Sequence, residues 1–211
     1  MSLVGMVDAR IVDVRFSASG RVLRVNKYAG DTIHKGELVA SLDRKILQTQ
    51  LDRQLADYEK TRADFEIFAA KYPDPKDQME KYLKAEKQAV LNASVKDVEI
   101  SKALLDACDL YSPVDGIVLE DSSMIPGINV TPAGGSFKII DSSSYHLKVE
   151  IEQKDLGSFI NPRQVKITIE GIEGEHAGCT SLPFSDGKKL FVKIPIAGAS
   201  RFLLGMVGTV E

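Results

Sequence analysis

The stretch "SGRVLRVNKYAGDTIHKGELVASLD", residues 19–43, places glycines where turns belong and apolar residues where short strands need them. Much of the pattern returns as "VDGIVLEDSSMIPGINVTPAGGSFKIID", residues 114–141. In the first copy Gly20, Gly30, Gly36 and Asp43 are spaced by 10, 6 and 7 residues; in the second Gly116, Gly127, Gly134 and Asp141 are spaced by 11, 7 and 7. Between them run Val22-Leu23 with Val25 and Ile117-Val118-Leu119, then single anchors at Ile33 and Val130, then Leu38-Val39 with Leu42 and Phe137 with Ile139-Ile140. These read as strands of a few residues joined by tight turns. The six glycines read as turn residues, with Gly30-Asp31 and Pro126-Gly127 as turn dipeptides. A unit of about 25 residues cannot bury enough apolar surface to offset chain entropy. The two copies are therefore expected to pack on one another as one small β-sandwich with a pseudo-two-fold axis.

What separates the copies is helical. Residues 44–71 lack Gly and Pro and carry Leu47, Leu51, Leu55, Tyr58, Phe65, Phe68 and Tyr72 at helical spacing, with Asp43 as an N-cap. "YPDP", Tyr72-Pro73-Asp74-Pro75, stops that helix. A second helix is expected over residues 76–107, with a stripe of Met79, Leu83, Val90, Ala93, Ile100 and Leu104. Because the β halves belong together, the helices must return to their starting point. They form an antiparallel hairpin with Tyr72, Pro73, Asp74 and Pro75 at the far tip. Pairs such as Lys60/Asp64 and Arg62/Glu66 read as a solvated face.

From Ser144 onward the period becomes two, in "YHLKVEIE" and "RQVKITIE", followed by "KKLFVKIPI" and "FLLGMVGTVE". "EQKDLGSFI" reads as a short helix and Ser185-Asp186-Gly187 as a hairpin turn. These strands predict a small β-barrel, which "GMVDARIVDV" near the N-terminus closes as one further strand. The expected division is 12–43 plus 108–141 for the sandwich, 44–107 for the hairpin, and 3–11 plus 144–211 for the barrel.

Composition narrows function. The 211 residues carry a net charge of −3 without Lys/Arg runs, which argues against nucleic acid as a partner. Cys108 and Cys179 show no metal-ligand spacing and read as two buried thiols. No apolar stretch approaches the roughly 20 residues that span a bilayer. Met1-Ser2-Leu3 reads as an expression remnant, and the chain is expected to be a soluble fragment of a longer protein.

With the two half-motifs, "GELVASLD" ending the first, "YSPVDGIV" opening the second and "IID" closing it, and with "LKVEIEQKDLGSFI" and "LLGMVGTV" beyond them, the chain resembles the membrane fusion proteins, also called periplasmic adaptor or HlyD-like proteins. That resemblance implies a biotinyl/lipoyl-like sandwich split by a helical hairpin and followed by a barrel. It implies an adaptor in export or efflux that links an inner-membrane transporter, of ABC or RND type, to an outer-membrane TolC-like duct. By position, Tyr72, Pro73, Asp74 and Pro75 would be the duct-contacting tip. The resemblance further implies self-association into a ring, no cofactor, and a periplasmic or extracytoplasmic location, anchored to the inner membrane in the full-length protein.

Rival functions have weaker signatures. A biotin or lipoate carrier would use a lysine between the halves, and Lys45 is the nearest. A structural envelope protein without a transporter would share every motif above. Enzymatic chemistry lacks support, because His34, His146 and His176 are scattered with no nucleophile motif or phosphate loop to join them. Metal sensing through His146 or His176 with methionines is an open reading, and no metal site is assigned.

Overall fold

The computed structural model describes residues 3–74, 77–196 and 202–211. In chain order the first elements are β1 (Leu3–Asp8), β2 (Ile11–Val14), β3 (Gly20–Val25), β4 (Thr32–Ile33) and β5 (Leu38–Leu42). Two helices follow, α1 (Lys45–Lys71) and α2 (Gln78–Asp106). The chain returns through β6 (Asp109–Tyr111), β7 (Gly116–Glu120), β8 (Asn129–Val130) and β9 (Phe137–Asp141). It then builds β10 (His146–Ile151), β11 (Gln164–Ile169), β12 (Glu175–Cys179), β13 (Phe184–Ser185), β14 (Leu190–Pro195) and β15 (Val207–Val210).

The sequence repeat becomes two four-stranded sheets, β2-β9-β7-β4 and β6-β5-β3-β8. Each half keeps its two long strands paired, β3 with β5 and β7 with β9, and gives its short middle strand to the other half: β4 pairs β7, and β8 pairs β3. The flanking strands are exchanged in the same way, β2 onto β9 and β6 onto β5. Neither half has a complete sheet without its partner. Between the sheets lies a core that includes Val22, Ile33, Val39, Leu42, Val118, Met124, Val130, Phe137 and Ile139.

The glycines divide by role. Gly30, Gly36 and Gly127 adopt φ values of 95°, 79° and 98°, where side chains are disfavoured. Gly134 closes a turn through its N–H to Thr131 O at 3.0 Å, while its neighbour Gly135 supplies the positive φ. Gly20 and Gly116 are corrections to the turn reading, since each opens a strand. There the missing Cβ matters for space: at Gly116 it would overlap the Ile140 carbonyl oxygen, and at Gly20 it would sit 3.2 Å from Leu42 Cδ1.

The third sheet, β12-β11-β15-β1-β10-β14-β13, is antiparallel and rolls into a small barrel. Its ends meet where Ser181 N–H donates to Lys193 O at 2.8 Å and where Gly178 leaves room for Ile194. Val7, Leu147, Val149, Val165, Ile167, Ile169, Val192, Ile194 and Phe202 fill it. "GMVDARIVDV" is two strands rather than one: β1 joins the barrel, and after Ala9-Arg10 β2 joins the sandwich. The "EQKDLGSFI" segment is a 3-10 helix over Gln153–Phe159. In the hairpin turn at Ser185-Asp186-Gly187, the Asp186 carboxylate accepts the Lys188 and Lys189 amides at 2.9 Å.

The helices leave from adjacent strands. Leu42 N–H donates to Cys108 O at 2.8 Å, Ser41 pairs with Asp109, and Arg44 bridges Asp109 at 3.0 Å. Helix α1 is capped at Arg44 rather than Asp43, although the Asp43 carboxylate accepts the Lys45 amide at 3.0 Å. Of the two thiols expected to be buried, Cys108 is buried and Cys179 is exposed; both are free. Burial pushes the Cys108 thiol up from its ordinary value, helped by neighbouring Asp109.

Candidate partner-binding surfaces

At about 1.5 Å per residue, the 27-residue α1 and 29-residue α2 carry their shared tip some 40 Å from the sandwich. Helix α1 turns Leu51, Tyr58, Phe65, Phe68 and Tyr72 into the seam as half-buried side chains, while Leu47 at its base packs on the sandwich core and Leu55 is exposed. Helix α2 corrects the sequence reading. The side chains that face α1 are Leu91, Ser94, Val95, Val98, Ser101 and Leu105, with Ser101 buried outright. The expected stripe lies one position away, a rotation of about 100°. It is solvent-facing: Met79 is 67% exposed, Val90 51% and Ile100 59%, with Leu83, Ala93 and Leu104 exposed beside them. Small Ser94 and Ser101 were the overlooked signal, because small residues let helix axes approach.

At the tip, Tyr72 caps α1 through its N–H to Phe68 O at 2.9 Å, and its ring lies 5.0 Å from that of Phe68. Lys71 Nζ sits 5.5 Å from the Tyr72 ring centre. Pro73 and Asp74 are exposed; Pro75, the fourth tip residue read from sequence, lies outside the described residues. Helix α2 restarts at an N-cap the sequence reading passed over, Asp77, whose carboxylate accepts the Glu80 amide at 2.7 Å. The turn is thus anchored on both sides and offers a proline and an acid to solvent.

On the barrel's outer wall a groove of roughly 520 Å³ is lined by Val4, Met6, Phe191 and Leu204. Lys148 Nζ stands 4.1 Å from the Phe191 ring centre, a cation–π contact, and Lys189 pairs with Glu150 at 2.6 Å on the rim. Val4 and Met6 are 60% and 59% exposed. Sequence alternation placed these strands without marking this wall as apolar.

The histidines stay apart. His34 sits by Asp115 at 3.4 Å on the sandwich, His146 opens β10, and His176 packs edge-on against Phe202 with ring centres 5.4 Å apart. Among the described residues no group of three or more His, Cys, Asp or Glu is placed to hold a metal ion. Lys45 is the first residue of a long helix, not the tip of a β-turn that could present a carried cofactor. No described helix is long and apolar enough to cross a membrane.

No family model matches the chain. Among curated proteins it is 31% identical over 74 residues to the UPF0194 membrane protein YbhG of Salmonella typhi and of Salmonella typhimurium. The match covers 35% of this chain and spans about a fifth, 22%, of the length of those relatives. Among solved structures, the membrane fusion protein Spr0693 from Streptococcus pneumoniae superposes with a TM-score of 0.79 at 17% identity, covering 100% of this chain and 97% of that one. A putative efflux transporter from Bacteroides eggerthii gives 0.79 at 17% identity, covering 100% and 67%. A MacA-MexA chimera containing the Pseudomonas aeruginosa MexA α-hairpin gives 0.79 at 19% identity, covering 100% and 79%. The chain thus shares the fold of these solved membrane fusion and efflux proteins over its whole length.

Proposed function

We propose that this chain is part of an adaptor in an export or efflux assembly, linking an inner-membrane transporter of ABC or RND type to an outer-membrane TolC-like duct. The single observation that carries this reading is the hairpin, whose outer face on α2 holds Met79, Leu83, Val90, Ala93, Ile100 and Leu104 in solvent at helical spacing. A scatter of exposed apolar side chains is ordinary on a monomer, but six aligned on one helix face, with the charged Glu86, Lys87, Lys96 and Asp97 between them, mark a face that is covered in use. Side-by-side packing of copies into a ring covers it. The tip at Tyr72, Pro73 and Asp74 then meets the duct, and the barrel groove at Val4, Met6 and Phe191 meets the transporter. In this reading residues 44–107 are the reaching arm, 12–43 with 108–141 the ring body, and 3–11 with 144–211 the transporter-side barrel. The protein works outside the cytoplasm, in the periplasm, on an anchor carried by the full-length protein. It performs no chemistry; its product is a held geometry.

Photo-crosslinking of the full-length protein in its native cell tests this, with reactive side chains at Asp74, Ile100 and Met6. The expected captures are a duct protein at Asp74, a second copy at Ile100 and a transporter at Met6. A folded, correctly located protein that captures neither duct nor transporter overturns the adaptor function.

A further inference from the structure

Barrel and sandwich are joined by two chain crossings. One is Ala9-Arg10 between β1 and β2; the other is Ser142–Ser144 with Tyr145, between β9 and β10. On the sandwich side the crossings are tied. Asp141 N–H donates to Arg10 O at 2.9 Å, Arg10 N–H to Ser144 Oγ at 2.7 Å, and Arg10 bridges the buried Asp141 carboxylate at 3.1 Å. The barrel side is different. Its last rung is Asp8 opposite His146, and there two acceptors confront each other.

His146 Nδ1 lies 2.9 Å from Ser144 O. A carbonyl oxygen only accepts, so Nδ1 carries the proton and Nε2 of the neutral ring is a bare acceptor. Nε2 is buried, has no hydrogen-bond partner, and stands 4.0 Å from Asp8 Oδ2, which also only accepts when ionised. Asp8 is held in place because its Oδ1 accepts the Ala9 amide at 2.9 Å. The other groups around the same cleft are Arg10, already engaged by Asp141, Lys193 from β14, and the uncharged Ser143, Tyr145, Ser181 and Pro195.

We propose that His146 and Asp8 form a proton-operated latch at the joint between barrel and sandwich. A proton taken from solvent onto Nε2 turns that acceptor into a donor aimed at a carboxylate, and a charge-assisted hydrogen bond closes the last rung. Asp8 faces the ring at 4.0 Å, and Lys193 lines the other side of the cleft. Loss of the proton restores two facing acceptors, and the rung next to the joint loosens. Both partners belong to the barrel, so mild acid closes the last β1–β10 rung and shortens the two crossings that tether the sandwich, and mild base lets that rung fray and lengthens the tether on which the sandwich swings. Histidine is the side chain suited to that range.

The test is the distance between spin labels at Lys35 on the sandwich and Lys188 on the barrel, in a Cys179→Ser background, at about pH 8 and about pH 5.5. The expected result is a distance distribution that narrows in acid, with the closed-rung population rising several-fold. Asp8→Asn keeps the oxygen that accepts the Ala9 amide and turns an amide N–H toward Nε2, so it should be narrow at both pH values. His146→Gln should lose the pH response. An unchanged distribution in the parent protein overturns the latch, and so does a full pH response in either variant. Crosslinking to duct and transporter can succeed or fail independently of this result.

Discussion

Gly116 and Gly30 belong to the same sequence repeat but have different reasons to be glycine. At Gly116 a Cβ would occupy the Ile140 carbonyl oxygen, and strand pairing with β9 leaves the backbone no route aside. At Gly30 nothing lies within 4 Å of a Cβ, and only the φ of 95° resists a side chain. Gly116→Ala should therefore cost about 3 kcal/mol or more, by overpacking that forces the backbone to move. Gly30→Ala should cost about 1 kcal/mol; urea unfolding of the two variants measures both, and equal costs would refute the distinction. A second residue-scale consequence concerns acid. Asp115 accepts the Lys35 amide from the other half at 3.0 Å, and this bond, followed by His34, holds its carboxyl below the ordinary value of 3.8. Lys27 chiefly does the same for Glu37, with the His34 amide second. A carboxyl depressed by folding adds stability above its unfolded value, and that contribution is lost as pH falls through the folded one. The urea midpoint should thus fall between about pH 5 and about pH 3, and fall less in Asp115→Asn. An identical acid limb in that variant would show that the inter-half bond contributes nothing.

At the scale of elements, α2 presents two apolar stripes one position apart, and only one of them meets α1. Ser101 lies in the seam and is buried; Ile100 beside it points to solvent. Ser101→Leu should lower the melting of the helical signal, by about 1–3 kcal/mol of overpacking. Ile100→Lys should leave that melting within about 0.5 kcal/mol while weakening self-association in sedimentation. If Ile100→Lys melts the hairpin and leaves association untouched, the assignment of faces is reversed. This pair also shows what could be read in advance. The β repeat was legible because turn glycines and apolar anchors recur in order, and α1 was legible because a single stripe ran along it. On α2 the outer stripe is the greasier of the two, so hydrophobic spacing selected it, whereas the seam is built from Val, Leu and small serines. The break between β1 and β2 was hidden too, since Ala9-Arg10 contains neither Gly nor Pro. Which partner strand each middle strand joins is a tertiary exchange that no local pattern encodes. The barrel groove went unmarked because Val4 and Met6 alternate as any strand residues do, and only closure shows which wall they occupy.

For the molecule as a whole, the hairpin reads as an insertion that the β structure does not need. Its legs leave from paired strands, with Ser41 opposite Asp109 and Leu42 N–H on Cys108 O. Among the described residues the barrel core contains none from either helix, and on the sandwich core only Leu47 of α1 packs as a half-buried neighbour. Replacing residues 45–106 with a loop of about four residues should convert β5 and β6 into an ordinary β-hairpin, since adjacent antiparallel strands accept such short connections. The contact at Leu47 is the main loss, about 1–2 kcal/mol. The shortened protein should therefore lose nearly all helical circular dichroism yet unfold cooperatively, within several degrees of the parent. On the proposed adaptor function, the same excision in the full-length protein should abolish export while leaving crosslinking from Met6 to the transporter intact, because in that proposal barrel and arm act at opposite ends. A shortened chain that no longer unfolds cooperatively would make the hairpin part of the folding unit, and the arm could then not be treated as a separable reach grafted onto a self-sufficient β body.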